Sequence, residues 1–366
     1  MKEKEILRTL PAVFAVENEY QIIVPVLREC LLWVRVGEME YYDEANGIMR
    51  SLSEFHRVSV PQAALDEAKA YTVCVRPIIE RKPYYTESEE PVEFTYEFIP
   101  IPEKNVRAYH IADAHNKIAE PVNAAKAFGA IDFLILNGDV IDHSGDPTKF
   151  YNVYEICEQL TEGKKPIVFS RGNHDMRGVC AEKFLEYTPN SKGNTYYTFR
   201  LGTIWGIILD CGEDKADHNV EYAHTVACYG FRRRQTAFLK QVIANAKGEY
   251  QQEDVKTKLV ISHVPFSHVA VPPFAIEQDV YSEWSKLLKE YVKPDVMICG
   301  HVHGLDIWEK GGDHDDLGQP CTVVIGSNVG EDYYAGCGYV FMENGIEVVF
   351  TDNKGKYELQ RKINIK

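Results

Sequence analysis

Five short polar motifs, each placed directly after an apolar run, constrain the fold of this chain more than any other feature. The motifs are Asp113-Ala-His115, Gly138-Asp139-Val-Ile-Asp142, Gly172-Asn-His-Asp175, His263 and Gly300-His301-Val-His303. Between them, apolar runs alternate with stretches of helical periodicity, which is typical of layered α/β proteins. Because ligands bind outside the carboxyl ends of the strands in such sheets, we expect all five motifs to meet at one edge.

The side chains in these motifs are of the kinds that bind divalent metals. Carboxylates, an amide and neutral imidazoles suit Mn, Fe or Zn. Asp113 and His115 are two residues apart, as are His301 and His303, so in extended backbone each pair points to one side. Seven donor residues exceed the needs of one tetrahedral ion and suit two ions that share a carboxylate, an arrangement used for phosphoryl hydrolysis. The sequence therefore predicts two divalent metal ions, with Mn, Zn and Fe left open.

The order of the motifs resembles that of the calcineurin-like metallophosphoesterases, in which DxH, GDxxD, GNHD, an isolated His and GHxH follow one another. The match covers about residues 107–304 and contains every ligand position. The resemblance implies an α/β fold, a four-layer α/β/β/α sandwich. It also implies these roles: Asp113, His115 and His303 bind the first metal, Asn173, His263 and His301 bind the second, Asp139 bridges them, and His174, oriented by Asp142, faces the substrate phosphate.

The resemblance further implies hydrolysis of a phosphomonoester or phosphodiester by in-line attack of a metal-activated hydroxide. His174 would aid the leaving group and Asp142 would hold its tautomer. A nucleotide phosphodiesterase or nucleotidase is an alternative, as is a non-catalytic scaffold, although a scaffold should lack ligands and this sequence lacks none. A Ser/Thr protein phosphatase is disfavoured, because Asp142 is followed by His143 and Ser144 instead of Arg-Gly.

Residues 1–104 contain short apolar runs rich in Val, Tyr, Phe and Trp, separated by turn signals. The run 92–98 alternates as a half-buried strand should. We therefore predict a small all-β sandwich domain of immunoglobulin or fibronectin type at 1–104, followed by the catalytic domain at 105–366. This layout is similar to that of purple acid phosphatases. Those enzymes place a tyrosine at the position of Asp142, so the iron(III) centre that makes them purple is not expected here.

Charge and cysteine content narrow the function further. Forty basic and 55 acidic residues give a net charge of −15, which provides no electrostatic reason to bind duplex nucleic acid or an anionic membrane. Nine scattered cysteines without a CxxC pair indicate reduced thiols. The apolar run at 10–16 is too short for a signal peptide, and no run is long enough to span a membrane. We predict a cytoplasmic protein whose partner is a small phosphorylated substrate, with nucleotides among the candidates, and we leave the oligomeric state open.

Polar residues around the motifs allow more than one interpretation. Arg171 and Arg177 flank the GNHD motif and are interpreted either as phosphate clamps or as surface charges, with the second favoured. The basic run 232–234 is interpreted as a solvated helix face. The loop 211–230, rich in acidic residues, His and Tyr, is expected either to form a wall of the substrate pocket or to lie on the surface. Asp175 is expected to hold the turn of its motif.

Overall fold

The computed structural model describes residues 3–364, apart from the side chains of residues 359 and 360. The strands within this range are β1 (Ala12–Val16), β2 (Glu19–Pro25), β3 (Cys30–Val36), β4 (Met39–Tyr42), β5 (Glu44–Ala45), β6 (Ile48–Met49), β7 (Phe55–Pro61), β8 (Ala70–Arg81), β9 (Thr86–Ser88), β10 (Val92–Glu97), β11 (Val106–Ile111), β12 (Phe133–Asn137), β13 (Pro166–Ser170), β14 (Tyr197–Leu201), β15 (Ile204–Ile208), β16 (Thr257–Ile261), β17 (Val296–Cys299), β18 (Gly304–Trp308), β19 (Thr322–Val329), β20 (Tyr334–Met342), β21 (Gly345–Asp352) and β22 (Tyr357–Asn364). The α-helices are α1 (Gln62–Ala68), α2 (Ala119–Phe128), α3 (Phe150–Thr161), α4 (Phe184–Tyr187), α5 (Cys228–Ala244) and α6 (Gln278–Leu287), which a π-helical segment, Leu288–Val292, extends.

Two sheets, joined through β19 and β20, form the centre of the catalytic part. The first has the order β22-β21-β20-β11-β12-β13-β1-β2-β7, and the second has the order β14-β15-β16-β17-β19-β18. Strands β11, β12 and β13 are parallel to one another, and so are β15, β16, β17 and β19. Every residue of β12 and β13 is buried, as expected for parallel strands that are covered on both faces.

Alternate side chains of these strands enter different layers. Ile135 of β12 and Ile298 of β17 lie in the core between the two sheets. Leu134 and Leu136 point the other way and pack with the buried faces of α2 and α3. Met297 of β17 packs on the opposite outer side, with residues of α5 and α6. These packing directions confirm the predicted four-layer α/β/β/α sandwich.

The N-terminal part supplies a sheet of its own, as predicted. Its order is β10-β8-β3-β4, with β9 paired to β8. Leu32 and Val34 of this sheet share a core with Ile22 and Val24 of β2, so the N-terminal sheet packs face to face against the β1-β2-β7 edge. An additional N-terminal sheet next to the catalytic fold is thereby confirmed.

Three N-terminal strands also belong to the first catalytic sheet, which the sequence analysis did not predict. Strand β1 runs parallel to β13, with Val13 opposite Pro166 and Phe14 opposite Ile167. Strand β2 pairs with β1, and β7 pairs with β2. The short apolar run near the N-terminus is therefore a fully buried strand. The domain division at residue 104 stays a prediction, and a hydrogen-bonded sheet crosses it.

The cysteines are dispersed through this core. All nine lie within the described residues and are free thiols, and all but Cys180 are buried. They act as small apolar side chains, as the sequence analysis expected. Among residues 3–364, no helix combines the length and the hydrophobicity that a membrane span requires.

Candidate metal centre

Loops at the carboxyl ends of five parallel strands bring the predicted ligands together. The ligands follow their strands in this order: Asp113 and His115 after β11, Asp139 after β12, Asn173 after β13, His263 after β16, and His301 and His303 after β17. The first three strands belong to one sheet and the last two to the other. The predicted ligands therefore converge where the loops of the two sheets meet.

The first cluster consists of Asp113, His115 and His303. His303 Nε2 lies 3.3 Å from Asp113 Oδ1 and 3.2 Å from His115 Nε2. The three ligand atoms lie within 4.8 Å of one another. The separations of 3.2 and 3.3 Å are short enough for one ion with bonds of about 2.0–2.2 Å. These are the residues that the resemblance assigns to the first metal.

The second cluster consists of Asp139, His263 and His301. His263 Nε2 lies 3.1 Å from Asp139 Oδ2. Asn173 Oδ1 lies 3.0 Å from His301 Nδ1, which adds the fourth predicted donor. Asp139 also forms a group with His174 and a histidine of the first cluster, so it lies between the two clusters. The structure thus brings all seven predicted ligands together, while their roles as metal ligands stay predictions.

Two ligand atoms at this site are buried without a hydrogen-bond partner within the described part of the chain. They are Asp113 Oδ1 and His263 Nε2. His263 Nδ1 lies 2.7 Å from the carbonyl of Asn137 and donates to it, so Nε2 faces the two carboxylates. Buried polar atoms are nearly always paired. The near polar neighbours of these two atoms are instead other predicted ligands, Asp139 Oδ2 at 3.1 Å and His303 Nε2 at 3.3 Å. This arrangement fits a bound cation, and the donor set fits a divalent metal.

The pKa values within the clusters show that histidines compensate the negative charge of the buried carboxylates. Burial alone would lower the pKa of His263, but the carboxylates of Asp139 and Asp113 raise it to about 10. Burial would raise the pKa of Asp113, but His263 and His303 bring it below its usual range. Burial lowers the pKa of His301 to about 4, so this ring is neutral, which is the form that binds metals. The protonated ring of His263 thus supplies, next to Asp113 and Asp139, the positive charge that a metal ion would supply.

We expect metal binding to release protons near pH 8, because a metal must displace the proton of His263. The raised pKa of His263 belongs to the folded protein. Its contribution to the free energy of unfolding is therefore complete below the pKa of the unfolded state, about 6.5, and is lost as the pH rises through about 10. Calorimetric titration of stripped protein with Mn²⁺, in two buffers of different ionisation enthalpy, should give about one proton released from this group. The variant His268→Gln, outside both clusters, should release the same number, and an absence of proton release would contradict the assignment.

Backbone strain is concentrated at the predicted ligands. Five of them have left-handed φ angles: Asp113 (52°), His115 (44°), Asp139 (53°), His301 (68°) and His303 (52°). Such conformations cost about 1–3 kcal/mol each and are typical of functional sites. Close backbone approach adds to this, since a Cβ at Gly172 would lie 2.2 Å from Asp139 Oδ1. Only glycine therefore allows the GNHD turn to pack against this carboxylate.

Asp175 holds the GNHD turn against the preceding motif, as the sequence analysis expected. Its Oδ2 accepts hydrogen bonds from the backbone nitrogens of Gly172 at 2.7 Å and Asp139 at 3.2 Å. Burial and the neighbouring Asp139 carboxylate raise the pKa of Asp175 to about 7. Asp175 belongs to none of the candidate metal groups among the described residues, so its contribution is to position the turn.

The expected pairing of His174 with the Asp142 carboxylate is not formed. His174 Nδ1 lies 2.8 Å from the backbone carbonyl of Asp142, whereas the carboxylate pairs with Lys149. The main chain is close enough to orient the ring, because the 3₁₀ turn His174–Met176 packs against this loop, with Ser144 donating to the carbonyl of Asp175. Asp142 therefore contacts His174 as predicted, but through its backbone oxygen and not through its acid group.

Replacing the Asp142 carboxylate should consequently have a small effect. We expect Asp142→Asn to change kcat/KM by no more than about threefold, because the backbone carbonyl that accepts from His174 is retained and exposed substitutions perturb little. The measurement is steady-state hydrolysis with the metal-loaded protein. A loss of a hundredfold or more would show that the carboxylate itself acts in the reaction.

Two arginines that were interpreted as surface charges are ion-pair partners. The solvated-face interpretation is wrong for Arg232, which is buried, whereas Arg233 and Arg234 are exposed as it expects. Arg171 is largely covered, with 12% of its side chain exposed. Arg232 is fully buried, donates to the carbonyl of Cys211 and pairs with Glu277. Arg171 Nε lies 2.7 Å from the buried carboxylate of Asp210. Helical periodicity around residue 232 gave no sign of this, because its partners lie in distant loops.

Arg177 is placed beside the predicted catalytic histidine. Its Nη1 lies 3.1 Å from His174 Nε2. Its Nη2 lies 2.9 Å from Glu213 Oε2, and this carboxylate is almost completely buried. Glu213 follows the strand β15 and thus anchors the loop 211–230 to the GNHD motif. Glu213 accepts from both Nε and Nη2 of the guanidinium, which leaves Nη1 on the side of His174. This placement is compatible with the phosphate-clamp interpretation, which stays a prediction.

The loop 211–230 also reaches the site through Asp214. This residue lines a pocket together with His301 and His268, which favours the interpretation of the loop as a pocket wall. His268 Nδ1 lies 2.7 Å from Asp316 Oδ2, so its ring is held at the pocket margin. A single histidine outside the five motifs carries little sequence information, so His268 could not be singled out from the sequence.

The sandwich and its paired Asp/His clusters define a metallophosphoesterase. Residues 106–305 match the sequence profile of the family described as calcineurin-like phosphoesterase. The match covers more than half of the chain, which therefore belongs to this family, and the predicted enzyme class is confirmed.

Sequence relatives and solved structures agree with this assignment. The chain is 22% identical over 224 residues to the serine/threonine-protein phosphatase CPPED1 of Danio rerio, covering 58% of this chain and 66% of that protein. It is 21% identical over 210 residues to the protein of the same name from Homo sapiens, covering 55% and 61%. The chain thus spans just under two thirds of the length of these relatives.

Two solved structures show the same fold. The purple acid phosphatase PPD1 from yellow lupin (Lupinus luteus) seeds aligns over 98% of this chain and 75% of its own, with a TM-score of 0.60 and 12% identity. A dimetal phosphatase from Danio rerio aligns over 72% of this chain and all of its own, with a TM-score of 0.51 and 13% identity. The predicted similarity to the purple acid phosphatase layout is thereby confirmed at the level of the fold.

Proposed function

We propose that the protein is a phosphohydrolase that uses two divalent metal ions to cleave a phosphomonoester or phosphodiester. The observation that carries the proposal is the convergence of seven predicted ligands on two adjoining clusters. In them Asp113 Oδ1 and His263 Nε2 are buried without a hydrogen bond, and their close polar neighbours are other predicted ligands. A buried polar atom that lacks a hydrogen bond costs about 1–3 kcal/mol, and a bound cation would remove this cost. A metal centre is therefore the physical explanation of the composition of these clusters.

The predicted ligands divide naturally between two ions. When bound, such ions polarise a phosphoryl group and acidify water for in-line attack. Asp113, His115 and His303 would hold one ion, Asn173, His263 and His301 would hold the other, and Asp139 would contact both. Carboxylate, amide and imidazole donors without a thiolate or tyrosine suit Mn²⁺, Zn²⁺ or Fe²⁺, and we propose a pair drawn from these.

His174 and Arg177 would act on the substrate directly. His174 donates from Nδ1 to the carbonyl of Asp142, so Nε2 is the nitrogen that faces the site, 4.0 Å from Asp139 Oδ2. In the structure Nε2 accepts from Arg177 Nη1 at 3.1 Å. We therefore assign to Nε2 the transfer of a proton to the leaving oxygen after Arg177 has shifted to the phosphoryl oxygens and Nε2 has taken up a proton from solvent. The guanidinium of Arg177, which Glu213 holds in place, would stabilise negative charge on the phosphoryl oxygens.

The proposed substrate is a small phosphorylated molecule. The net charge of −15 opposes binding of long nucleic acid, and it is compatible with a small nucleotide. The name of the CPPED1 relatives makes a phosphoprotein the second candidate, although the GDxVDRG pattern is absent here. The nine free thiols support a reducing compartment, and on this basis we propose a cytoplasmic location.

The test is hydrolysis of p-nitrophenyl phosphate and bis-p-nitrophenyl phosphate by protein that has been stripped of metal and refilled with Mn²⁺, Zn²⁺ or Fe²⁺. We expect turnover of one or both substrates that depends on the added metal, and the ratio of the two rates distinguishes monoester from diester preference. A phosphoserine peptide assayed in parallel tests the second candidate. Metal binding without turnover of any substrate would favour the scaffold alternative.

A further inference from the structure

A pocket with mainly apolar walls opens directly beside the second cluster. It has a cavity volume of about 70 Å³, measured for the centres of water-sized molecules, and it is partly open to solvent. Its apolar walls include Pro265, Val269, Phe274, Ile276, Val302 and Leu317. These residues come from the segments that follow His263 and His301 and from the loop before β19. The pocket is therefore built from the same loops that present the predicted ligands.

His301 connects the pocket to the candidate metal centre. Its ring belongs to the cluster of Asp139 and His263 and also forms part of the pocket wall. The pocket therefore adjoins the second cluster, where the organic part of a molecule can lie while its phosphoryl group is at the clusters. We propose that this pocket binds the leaving group of the substrate and that this group is an uncharged planar ring, so that the substrate is an aryl phosphate. The inference rests on the proposed phosphohydrolase function.

The charged residues around the pocket indicate that the bound leaving group is uncharged. Among the described residues, no Lys or Arg lines the pocket, and Asp214 is its single carboxylate. Asp214 is already paired with Lys215 and Arg177, so a second phosphate in this space would find no cation in the wall that is free to pair with it. This disfavours nucleoside diphosphates and triphosphates. The apolar walls gain free energy by covering a ring, in proportion to the area removed from water.

Phe274 is the wall residue best suited to contact such a ring. Its side chain is 37% exposed, so one part of it remains free to contact a ligand. Lys215 Nζ lies 5.1 Å from the centre of its ring, and Lys215 pairs with Asp214 and Glu221. These contacts tie the loop that carries Phe274 to the loop 211–230. The aromatic wall is thus held in place before substrate binds.

The proposal is tested by direct binding of two phosphonates that the enzyme cannot hydrolyse. Calorimetric titration of the Mn²⁺-loaded protein with phenylphosphonate and methylphosphonate should give a Kd about tenfold lower for the phenyl compound, because its ring is buried in the pocket. Phe274→Ala should reduce this ratio to about threefold or less. The exposed neighbour Val271, 75% accessible, supplies the control, and Val271→Ala should leave the ratio unchanged.

A second variant tests the pocket independently, in case Phe274→Ala does not fold. Ala270→Phe places a bulky side chain in the pocket and should weaken phenylphosphonate while leaving methylphosphonate binding as in the wild type. Equal affinities for both compounds in the wild type, together with metal-dependent hydrolysis of p-nitrophenyl phosphate, would overturn the pocket assignment alone. Absence of binding by either compound and absence of hydrolysis would instead overturn the proposed function.

Discussion

Replacing Asp139 by Asn should remove both metal ions together and lower turnover by at least about a hundredfold, a loss that even outer partners of metal sites can produce. Asp139 lies between the two clusters, with Oδ2 3.1 Å from His263 Nε2. Its Oδ1 accepts a hydrogen bond from the backbone nitrogen of His174 at 2.8 Å. An amide has similar shape but no charge, so the two dications would lose the anion they share. Metal analysis of the purified variant and steady-state hydrolysis measure the two effects.

The matched control is Asp146→Asn, the same chemical change in the same loop region. Asp146 caps a short 3₁₀ turn by accepting from the backbone nitrogen of Thr148 at 2.9 Å, and asparagine caps equally well. We expect wild-type metal content and activity for this variant. Retention of two ions per chain in Asp139→Asn would show that Asp139 does not bridge.

Replacing His174 by Ala should lower kcat by about 10²- to 10⁴-fold, the range for loss of a general acid, and leave both metal ions bound. The imidazole is oriented by the Asp142 carbonyl and contacts Arg177, and the resemblance gives it no ligand role. It does group with His115 and Asp139 in space, so metal analysis is the decisive readout. A drop to one ion per chain would identify His174 as a ligand and contradict the acid assignment.

Leaving-group dependence separates proton transfer from a positional effect of the same histidine. An activated leaving group such as p-nitrophenolate needs little protonation, whereas phenolate needs more. The loss in His174→Ala should therefore be larger for phenyl phosphate than for p-nitrophenyl phosphate. The control His143→Ala removes a half-exposed histidine from the neighbouring loop and should affect both substrates slightly and equally.

The ligand set could be predicted from the sequence because each ligand lies close in sequence to the end of the strand that positions it. Each ligand stands within a few residues of a buried strand end, as Asp113 does after β11 and His263 after β16. In parallel sheets, strand ends with polar side chains meet at one edge. The central strands are continuously apolar, which indicates burial on both faces, and successive side chains such as Leu134 and Ile135 enter the two different core layers.

Contacts between distant segments could not be predicted in this way. The pairing of β1 with β13 joins residues that are about 150 positions apart, and the five apolar residues of β1 carry no partner information. The same holds for Arg232, whose partner Glu277 lies 45 residues away. The hydrogen bond from His174 to a backbone carbonyl was missed for a different reason, since every residue offers such an acceptor.

The most direct test of the central claim is a count of metal ions made on the same samples that are assayed for hydrolysis. Protein stripped with a chelator and refilled stepwise should reach two ions per chain by plasma mass spectrometry, with p-nitrophenyl phosphate or bis-p-nitrophenyl phosphate turnover rising as the second ion binds. Saturation at one ion, or turnover that persists in the stripped protein, would contradict a dinuclear phosphohydrolase.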